Sequence, residues 1–466
     1  MTEFADQVAA VVTRSVAGCT KLIAVDRLSG GASQETYRLR VLIGGREVTL
    51  AMRRAPGGQH LEPLPANPGL DVEALLMQLA KEKGVPEPEV HYVLTREDGL
   101  GDGFIMEWIE GEALGARITR DPVFEAVRPK LAFECGKILA KIHSIDLNQG
   151  GLKSKLAVLT PEQFLNQMLE RYQAFDQPQP MIDYTGQWLM ANLPKTDRLT
   201  LVHNDFRAGN FMLTPTGISA VLDWEVAHIG DPMRDLGWIC TNSWRFGQDL
   251  PVGGFGEYQD LFAGYEAESG IRVDPDHVKF WEVFGSFWWA IGCLGMAEHY
   301  RTGPDQTVER PAIGRRSSEC QVDCVNLLIP GEARLLESQA DDSPDMPSQM
   351  ELVTSVRDFL RDDAMANLTG RSQFLARVAG NSLDIVLREL TVGGQHQRAE
   401  HQRLQAYFES DASLMSLRRR LSQGLRAGEI GLDDIPVQQH LRQTVVNQIA
   451  IDQPKYSGLR RAKQWG

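Results

Sequence analysis

The chain has 466 residues, of which 42% are hydrophobic, and it carries 48 basic and 62 acidic side chains for a net charge of −14. This length exceeds one ordinary domain and predicts two or three domains, each able to bury a core. The acidic balance argues against generic nucleic-acid binding.

The cysteines and the apolar runs indicate in which cellular compartment the protein is located. Six cysteines are scattered along the sequence without the paired spacing of a zinc site, and they predict reduced thiols in a cytoplasmic protein. The N-terminus lacks the basic start and long apolar run of a secretory signal. The most apolar stretch, residues 280–296, contains Glu282 and falls short of a spanning helix, so no membrane association is expected.

The first quarter of the chain predicts a small antiparallel sheet. Apolar and polar residues alternate in several short runs, and Gly44-Gly45 between two of them suits a two-residue hairpin turn. A turn of small residues at 29–33 and a Pro- and Gly-rich loop at 55–71 interrupt the sheet. Strands are predicted at residues 22–28, 36–43, 48–53, 90–94 and 104–109, and helices at 3–16 and 72–83.

Helical periodicity dominates the middle of the chain. The aromatic residues between Trp281 and Trp289 are predicted to be core rather than a ligand-binding cluster. Two short apolar strands joined by turns are predicted within residues 201–237, between the helices. Helices are predicted at residues 133–143, 161–175, 181–191, 258–268 and 277–301.

Beyond a linker at residues 330–348 the chain is predicted to be all-helical. Residues 345–466 carry 16 basic and 14 acidic side chains, whereas residues 1–344 carry 32 and 48, a shift that supports a domain boundary near residue 344. Gly393-Gly394 is predicted to end a helix, and Arg418-Arg419-Arg420 to lie on a solvated helix face. Helices are predicted at residues 350–365, 375–390, 397–409, 414–426 and 437–452.

The candidate catalytic and metal-binding side chains are concentrated in residues 201–237. This stretch places His203, Asp205 and Asn210 on one short loop, and Asp223 at the end of the following apolar run. Phosphoryl transfer from a nucleotide needs a carboxylate that orients the attacking hydroxyl, and hard oxygen ligands that hold Mg²⁺. An Asp, an Asn five residues later and a second Asp after a strand supply these groups in the order that protein kinases use.

These residues resemble the aminoglycoside phosphotransferase family, and more closely its kinase-like branch that occurs beside acyl-CoA dehydrogenases. The resemblance covers residues 20–330. It implies an α+β, protein-kinase-like two-lobed fold, with a small antiparallel-sheet N-lobe (1–110), a mostly helical C-lobe (111–330) and an added all-α C-terminal domain (345–466). It rests on three motifs: His203-x-Asp205-x4-Asn210, Leu222-Asp223-Trp224-Glu225 and Gly230-Asp231-Pro232-x2-Asp235-Leu236.

The resemblance also implies where ATP would bind. The turn at 29–33 would cover the phosphates through backbone N–H groups. Arg53 stands where the family has a lysine that contacts the phosphates, and Glu73 would pair with it; the departure matters because a guanidinium and an ammonium group are not interchangeable. The implied nucleotide-binding residues are Ser29, Gly30, Gly31, Arg53, Glu73 and the hinge backbone of Glu107, Trp108 and Ile109.

The resemblance further assigns roles to the residues of the central stretch. Asp205 would orient the acceptor hydroxyl and accept its proton, while His203 would brace the loop. Asn210 and Asp223 would hold Mg²⁺ through oxygen. Asp235 would fix the loop from beneath.

The predicted activity is transfer of the γ-phosphoryl group of ATP to a hydroxyl of a small molecule, such as a hydroxyacyl-CoA or a related hydroxy acid. The wider family leaves an aminoglycoside, choline or a sugar open as the acceptor. A regulatory nucleotide-binding pseudokinase with little turnover is a further alternative, because Arg53 replaces the lysine and the metal motif reads Asp223-Trp224-Glu225. A homo-oligomer formed through the helical C-terminal domain is the predicted assembly.

Overall fold

The structure, a computed structural model, describes residues 3–28, 34–62, 67–196, 198–338 and 345–464. The strands are β1 (Cys19–Arg27), β2 (Glu35–Ile43), β3 (Arg46–Arg54), β4 (Val90–Val93), β5 (Gly103–Glu107), β6 (Thr200–Val202), β7 (Phe211–Thr214), β8 (Gly217–Val221) and β9 (His228–Gly230). The first helices are α1 (Glu3–Ser15), α2 (Leu70–Glu82), α3 (Gly115–Ile118), α4 (Leu131–Ile142), α5 (Leu152–Lys155), α6 (Pro161–Gln173), α7 (Pro180–Ala191), α8 (Met233–Cys240), α9 (Tyr258–Ser269) and α10 (Pro275–Thr302). The later helices are α11 (Glu309–Arg315), α12 (Ser317–Leu328), α13 (Gln349–Asp358), α14 (Met365–Asn367), α15 (Gly370–Arg388), α16 (Gly394–Phe408), α17 (Leu414–Ala427), α18 (Ile435–Asp452) and α19 (Ser457–Lys463).

The chain divides into two compact units. The first contains every strand of the described residues, and the second is helical. The domain boundaries predicted near residues 110 and 330–345 stay a prediction. The first unit comprises Met1–Thr160, Lys195–Cys240 and Trp244–Trp281, and the second comprises Pro161–Pro194, Thr241–Ser243 and Glu282–Gly466.

The first unit is built on a five-stranded antiparallel sheet in the order β1-β2-β3-β5-β4. Arg53 of β3 pairs with Thr36 of β2 on one side and with Phe104 of β5 on the other, so it lies in the middle of the sheet. Helix α1 packs on this sheet through Val8 and Val12, both fully buried. Burial of its apolar face stabilises such a short helix more than its intrinsic propensity does. The predicted antiparallel sheet is confirmed.

Helices α4 and α9 of the first unit cross in close contact. A Cβ at Gly136 of α4 would lie 2.1 Å from the carbonyl oxygen of Leu261, and a Cβ at Gly264 of α9 would lie 2.0 Å from that of Phe133. Only glycine lets the two backbones approach so closely. Helix α4 ends directly before His143, which reaches the site described below.

The core of the second unit joins distant parts of the sequence. Met181 and Tyr184 of α7 and Val322 of α12 are buried in one cluster with Leu421 of α17. The Tyr184 hydroxyl donates to the carbonyl oxygen of Leu432 at 2.8 Å. The C-terminal helices therefore share a hydrophobic core with α7 and α12, although the composition of residues 330–348 is that of a linker.

Two details of the C-terminal helices differ from the prediction. Gly393-Gly394 does not end a helix: both residues have helical φ angles, −58° and −62°, and a π-helical segment, Glu389–Gly393, joins α15 to α16. Continuation of the backbone hydrogen bonding through the π turn overrides the glycine signal. Arg418 is not on a solvated face, because its guanidinium donates to both carboxylate oxygens of Glu400, which is buried.

The distribution of strands and helices agrees with the predicted class. Strands confined to one unit and abundant helices elsewhere make the fold α+β. All six cysteines are buried free thiols. Within the described ranges, no helix is long and apolar enough to cross a membrane.

Candidate active site

The loop of residues 203–210, between β6 and β7, is tied to the segment that carries Asp223. The backbone N–H of Leu222 donates to the carbonyl oxygen of Asn210 at 2.8 Å. His203 Nε2 lies 3.1 Å from the carbonyl oxygen of Leu222, and His203 Nδ1 accepts from the backbone N–H of Asp205 at 3.3 Å. These bonds assign the proton to Nε2 and bring the two ends of the predicted motif into one site.

Asp235 anchors this loop from inside the first unit. Its Oδ2 accepts from the backbone N–H of His203 and lies 2.9 Å from His143 Nε2, while its Oδ1 accepts from the backbone N–H of Asn204. Burial opposes ionisation, but the hydrogen bonds from His143 and from the His203 backbone N–H hold the pKa of Asp235 below its usual value. Asn204 has a positive φ of 65°, and the Asp235 carboxylate helps to hold that conformation.

The carboxylate of Asp205 is held by three side chains. Its Oδ1 accepts from Trp238 Nε1 at 2.7 Å and from Arg207 Nε at 2.9 Å, and its Oδ2 accepts from Asn210 Nδ2 at 2.5 Å. The Arg207 guanidinium also lies over the ring of Trp244, 4.0 Å from its centroid. Such contacts fix the carboxylate in one orientation, which is what positioning of an acceptor hydroxyl requires.

Asn210 and Asp223 offer the oxygens that a hard cation prefers. Asn210 Nδ2 donates to Asp205 and Asp223 Oδ1 accepts from Arg53, so the oxygens left to contact a cation are Asn210 Oδ1 and Asp223 Oδ2. The described residues hold no group of three His, Cys, Asp or Glu side chains arranged for a metal. The two oxygens Asn210 Oδ1 and Asp223 Oδ2 nevertheless fit Mg²⁺, because this ion typically takes one or two protein oxygens and completes its coordination shell with phosphate and water.

Arg53 forms an ion-pair network with three carboxylates. Its Nη2 lies 2.6 Å from Asp223 Oδ1 and 3.7 Å from Glu225 Oε2, and its Nη1 lies 3.3 Å from Glu73 Oε1 of α2. Gln34 accepts from Arg53 Nε at 3.3 Å. The pairing of Arg53 with Glu73 is the one that the sequence predicts, whereas the direct contact with Asp223 is new.

The charges of this network perturb one another. Burial, together with the nearby Asp223 and Glu225, raises the pKa of Glu73 to about 7, and Arg53 opposes that rise. Burial tends to lower the pKa of Arg53, but the carboxylates of Glu73 and Asp223 raise it above the usual arginine value. A cation surrounded by carboxylates in this way stays charged throughout the physiological range.

Trp224, the residue after the metal-ligand candidate Asp223, packs against His203. Its indole ring lies 4.6 Å from the ring of His203, and its Nε1 donates to Glu87 Oε1 at 3.2 Å. Glu87 is buried, its Oε2 has no hydrogen-bond partner among the described residues, and burial raises its pKa well above the usual value. The buried Glu87 carboxyl therefore supports Trp224, the residue that follows Asp223.

The segment after β5 is attached to the hairpin that follows the 203–210 loop. The backbone of Glu112 exchanges two hydrogen bonds of 2.9 Å with Leu213 of β7. Glu107 ends β5 with its backbone N–H bonded to the carbonyl oxygen of Glu89, and the Trp108 indole donates to Glu110 at 2.7 Å. Residues 107–109 thus lie between the sheet and the β7–β8 hairpin, the place expected of a hinge, and the role of Glu107, Trp108 and Ile109 in binding a nucleotide stays a prediction.

The structure links most of the predicted site residues. Hydrogen bonds or ion pairs connect His203, Asp205 and Asn210 to one another and Arg53 to Glu73 and Asp223. Burial lowers the pKa of His203, although nearby carboxylates oppose the shift, so its neutral imidazole braces the loop. Ser29, Gly30 and Gly31, the predicted phosphate-covering turn, lie outside the described residues.

Four residues that contribute to the candidate site were not predicted from the sequence. His143 and Glu87 lie far along the chain from their partners, and nothing in their local patterns marks them. Trp238 and Arg207 lie within or next to the motif stretch, and the position of Arg207, two residues after Asp205, was the available signal, because opposite charges that lie close together attract.

The fold and the site together define a phosphotransferase with a protein-kinase-like architecture. A family model described as "Phosphotransferase enzyme family" matches residues 24–272, more than half of the chain. The chain therefore belongs to this family of phosphotransferases, as the motifs predicted. A second model, "Domain of unknown function (DUF6285)", matches residues 366–456.

Curated relatives match part of this chain. Acyl-CoA dehydrogenase family member 10 of Mus musculus is 30% identical over 293 residues, which is 59% of this chain and 26% of the relative. Acyl-CoA dehydrogenase family member 11 of Gallus gallus is 30% identical over 307 residues, which is 60% of this chain and 37% of the relative. The chain thus spans well under half the length of these relatives.

A solved structure supports the fold. The crystal structure of a provisionally assigned aminoglycoside phosphotransferase from Ralstonia eutropha has a TM-score of 0.54 and 23% identity, and the match covers 68% of this chain and 95% of that one. The likeness confirms the aminoglycoside phosphotransferase fold.

Proposed function

We propose that this chain transfers the γ-phosphoryl group of ATP to a hydroxyl group of a small molecule. The observation that carries the proposal is the Asp205 carboxylate, which accepts hydrogen bonds from Trp238, Arg207 and Asn210 on a loop tied to the Asp223 segment. A protein that only binds nucleotide does not require a carboxylate oriented so tightly beside the metal-ligand candidates.

Asp205 serves as the residue that orients the acceptor hydroxyl and takes its proton. In a loose transition state the proton leaves late, so the position of the carboxylate matters more than its basicity. Trp238 and Arg207 fix Asp205 Oδ1, and Asp235 fixes the loop backbone on which Asp205 stands. The buried, neutral His203 holds the loop to Leu222 and does no proton transfer.

Asn210 and Asp223 would hold Mg²⁺ through Asn210 Oδ1 and Asp223 Oδ2. The ion would neutralise charge on the β- and γ-phosphate oxygens of the nucleotide. Arg53, on the central strand β3, would contact the phosphates in place of the family's lysine. Glu73 holds Arg53 from α2, so that its guanidinium is oriented before the nucleotide arrives.

The acceptor that we propose is a hydroxyacyl-CoA or a free hydroxy acid. The identity of the relatives, the chemistry of the product and the charge beside Asp205 support this acceptor class. The named relatives are acyl-CoA dehydrogenase family members, and a phosphorylated hydroxyl is a leaving group that a later elimination can use. Beside Asp205 the partly exposed Arg207 side chain offers a positive charge, which suits an anionic acceptor better than a polycationic antibiotic.

The experiment is an acceptor panel with the full chain, ATP and Mg²⁺. ADP release and phosphorylated product would be measured with a hydroxyacyl-CoA, the matching free hydroxy acid, kanamycin, choline and glucose. The acyl-CoA without the hydroxyl group is the matched control. Product from a hydroxyacyl substrate alone supports the acceptor class, and product from kanamycin, choline or glucose alone replaces it while leaving phosphoryl transfer intact.

One observation favours a second function, a regulatory nucleotide-binding module with little turnover. Arg53 is paired with Asp223, so the two groups expected to hold phosphate and metal neutralise each other. Under that alternative ATP binds, no hydroxylated compound accelerates ADP release, and Asp205→Asn leaves the basal rate unchanged. The cytoplasmic location and self-association through the C-terminal helices stay predictions.

A further inference from the structure

Two arginines of the second unit have no carboxylate partner. Arg442 of α18 is 1% exposed, and its Nη1 and Nη2 donate to the backbone carbonyl oxygens of Ile329 and Ala462. Arg403 of α16 donates from Nη2 to Thr444 Oγ1 at 2.9 Å. Across the described part of the chain, neither guanidinium lies within ion-pair distance of an Asp or Glu, and the buried Nε atom of each has no hydrogen-bond partner.

Glu400, the carboxylate that influences Arg403, is paired with another arginine. Glu400 is close enough to influence the pKa of Arg403, but both its oxygens accept from Arg418. Burial lowers the pKa of Arg403 and of Arg442, yet arginine stays charged at neutral pH. A buried cation without a counter-ion is costly, and a bound anion would remove that cost.

Both arginines line the same groove, which has a volume of ≈ 1050 Å³. It lies between α16, α18 and the segment that follows α12, and His440 also lines it. Gly331 lines the groove next to Arg442, since a Cβ at this position would lie in van der Waals contact with Arg442 Cδ, at 3.8 Å. Glu332 is the one carboxylate among the described lining residues, and it is exposed.

The rest of the groove wall is largely apolar. Leu404 and Leu421 are buried in its floor, and Ile435, at the start of α18, is 55% exposed beside it. Tyr407 adds an aromatic surface. An exposed apolar wall next to unpaired buried cations suits a ligand that has an apolar body and a single anionic end. The apolar body would contact the apolar wall, and the anionic end would contact the arginines.

We propose that this groove binds an organic monocarboxylate with an apolar body, its carboxylate between Arg403 and Arg442. The site belongs to the C-terminal helical region and is independent of the phosphoryl-transfer chemistry. Guanidinium groups bind a carboxylate through paired N–H donors, and both Nε atoms are without acceptors here. The apolar body would lie along Leu404, Tyr407 and Ile435.

Arg442 also holds the end of α12 and α19 through its two carbonyl contacts, so its replacement would disturb the fold. Arg403 is therefore the residue to change. Arg403→Gln removes the charge and keeps a polar side chain, and Arg403→Lys keeps the charge. Ala406→Trp, at an exposed lining position one helical turn from Arg403, fills the groove while both arginines are kept. Arg398→Gln is the matched control, because Arg398 is an exposed arginine of the same helix.

The measurement is calorimetric titration of the full chain with sodium octanoate. Octanamide has the same body without the charge, acetate has the charge without the body, and inorganic phosphate is a bare anion. We expect saturable octanoate binding at one site, and binding at least tenfold weaker for the other three. Arg403→Gln and Ala406→Trp should each weaken octanoate binding at least tenfold, whereas Arg398→Gln should stay within about threefold of the parent, less than ~0.7 kcal/mol. Arg403→Lys keeps the charge but loses the paired N–H donors, so its octanoate affinity should fall between those of Arg403→Gln and the parent.

Several results would overturn the proposal. Equal binding of octanoate and octanamide would reduce the groove to an apolar surface, and equal binding of phosphate would make it a bare anion site. Octanoate binding that survives both Arg403→Gln and Ala406→Trp would place the ligand elsewhere, and absence of binding at millimolar octanoate would leave no site of this class. ATP affinity measured on the same variants should not change, so the outcome is separate from the fate of the phosphotransferase proposal.

Discussion

Arg53 Nη2 lies 2.6 Å from Asp223 Oδ1, so the cation expected to hold phosphate is paired with the carboxylate expected to hold the metal. Glu73 and Glu225 surround the same guanidinium. These opposite charges neutralise one another in the structure. Binding of a nucleotide with its metal would replace the Arg53–Asp223 pair by one phosphate contact and one metal contact, which couples the two ligands.

Replacement of Arg53 tests its proposed contact with phosphate. Arg53→Lys keeps a point charge and should hold activity within about tenfold, ~1.4 kcal/mol. Arg53→Ala should weaken ATP binding and slow turnover far more, and Glu73→Ala should reproduce part of that loss because Arg53 would no longer be held from α2. Arg38→Ala, which removes an exposed ion pair on the same sheet, should have no effect.

The measurement for this series is ATP affinity and turnover of each variant under the same conditions. Parental values for Arg53→Ala would remove Arg53 from the site. A loss in Arg38→Ala as large as in Arg53→Ala would show that the sheet as a whole, and not the Arg53 guanidinium, is being perturbed.

Asp223→Ala should differ from changes at Asp205 in its metal dependence. It removes the stronger of the two oxygen ligands, so half-maximal turnover should need at least about tenfold more Mg²⁺, ~1.4 kcal/mol of metal affinity. Titration of Mg²⁺ against the parent, Asp223→Ala and Glu225→Ala measures this directly. If Asp223→Ala followed the parent curve while Glu225→Ala moved, Glu225 would be the metal ligand.

The buried Glu73 makes a definite contribution to the pH dependence of stability. The folded chain keeps a proton on Glu73 up to about pH 7, whereas the unfolded chain releases it near the ordinary glutamate value. The stability from this group is therefore fully present at low pH and is lost as the pH rises through about 7, at up to ~1.4 kcal/mol per pH unit. Glu73→Gln cannot titrate and should lack this component.

Chemical denaturation of the parent and Glu73→Gln between pH 5 and pH 8.5 checks it. The difference between their free energies of unfolding should change mainly below pH 7 and level off above it. A constant difference across the range would mean that Glu73 is ionised in the folded chain throughout.

Helix α17 is held to α7 by a buried ion pair. Arg426 Nε donates to Asp183 Oδ1 at 2.5 Å, and Asp183 has no exposed side-chain surface. Arg426→Ala leaves that carboxylate without its cation and should cost about 3 kcal/mol of stability. The matched control is Arg419→Ala on the same helix, whose partner Asp176 is 80% exposed, and it should cost less than ~1 kcal/mol.

Denaturation of both variants, with ATP affinity measured in parallel, separates stability from function. Equal losses for Arg426→Ala and Arg419→Ala would show that the Asp183 pair contributes no more than a surface pair. A selective loss of ATP affinity in a stable Arg426→Ala protein would mean that the C-terminal helices help to build the nucleotide site.

Local patterns were enough to predict most elements of the fold. Alternation predicted the strands around Arg53, and period-3.6 spacing predicted α15 and α18, because both patterns reflect which face of an element is buried. The pattern failed at Gly393-Gly394, where the tertiary setting keeps a glycine pair helical. Local sequence patterns also did not predict the core that Met181 and Val322 share with the C-terminal helices, because such a core joins residues that are far apart in the sequence.

The candidate site shows the same limit. The order of Asp205, Asn210 and Asp223 carried enough information to predict the reaction class, because the chemistry needs those groups at those intervals. The supports of these residues were not predictable. His143 reaches Asp235 from 92 positions away and Glu87 reaches Trp224 from 137 positions away, and only the folded chain brings such pairs together.

The central claim is that Asp205 positions and deprotonates the acceptor, and the most direct test compares turnover with nucleotide affinity in Asp205→Asn and Asp205→Ala. With the best acceptor of the panel, turnover should fall about 10²–10⁴-fold, while the dissociation constant for Mg-ATP, measured by direct titration, should stay within about threefold, ~0.7 kcal/mol. Turnover at the parental rate in either variant would contradict the account.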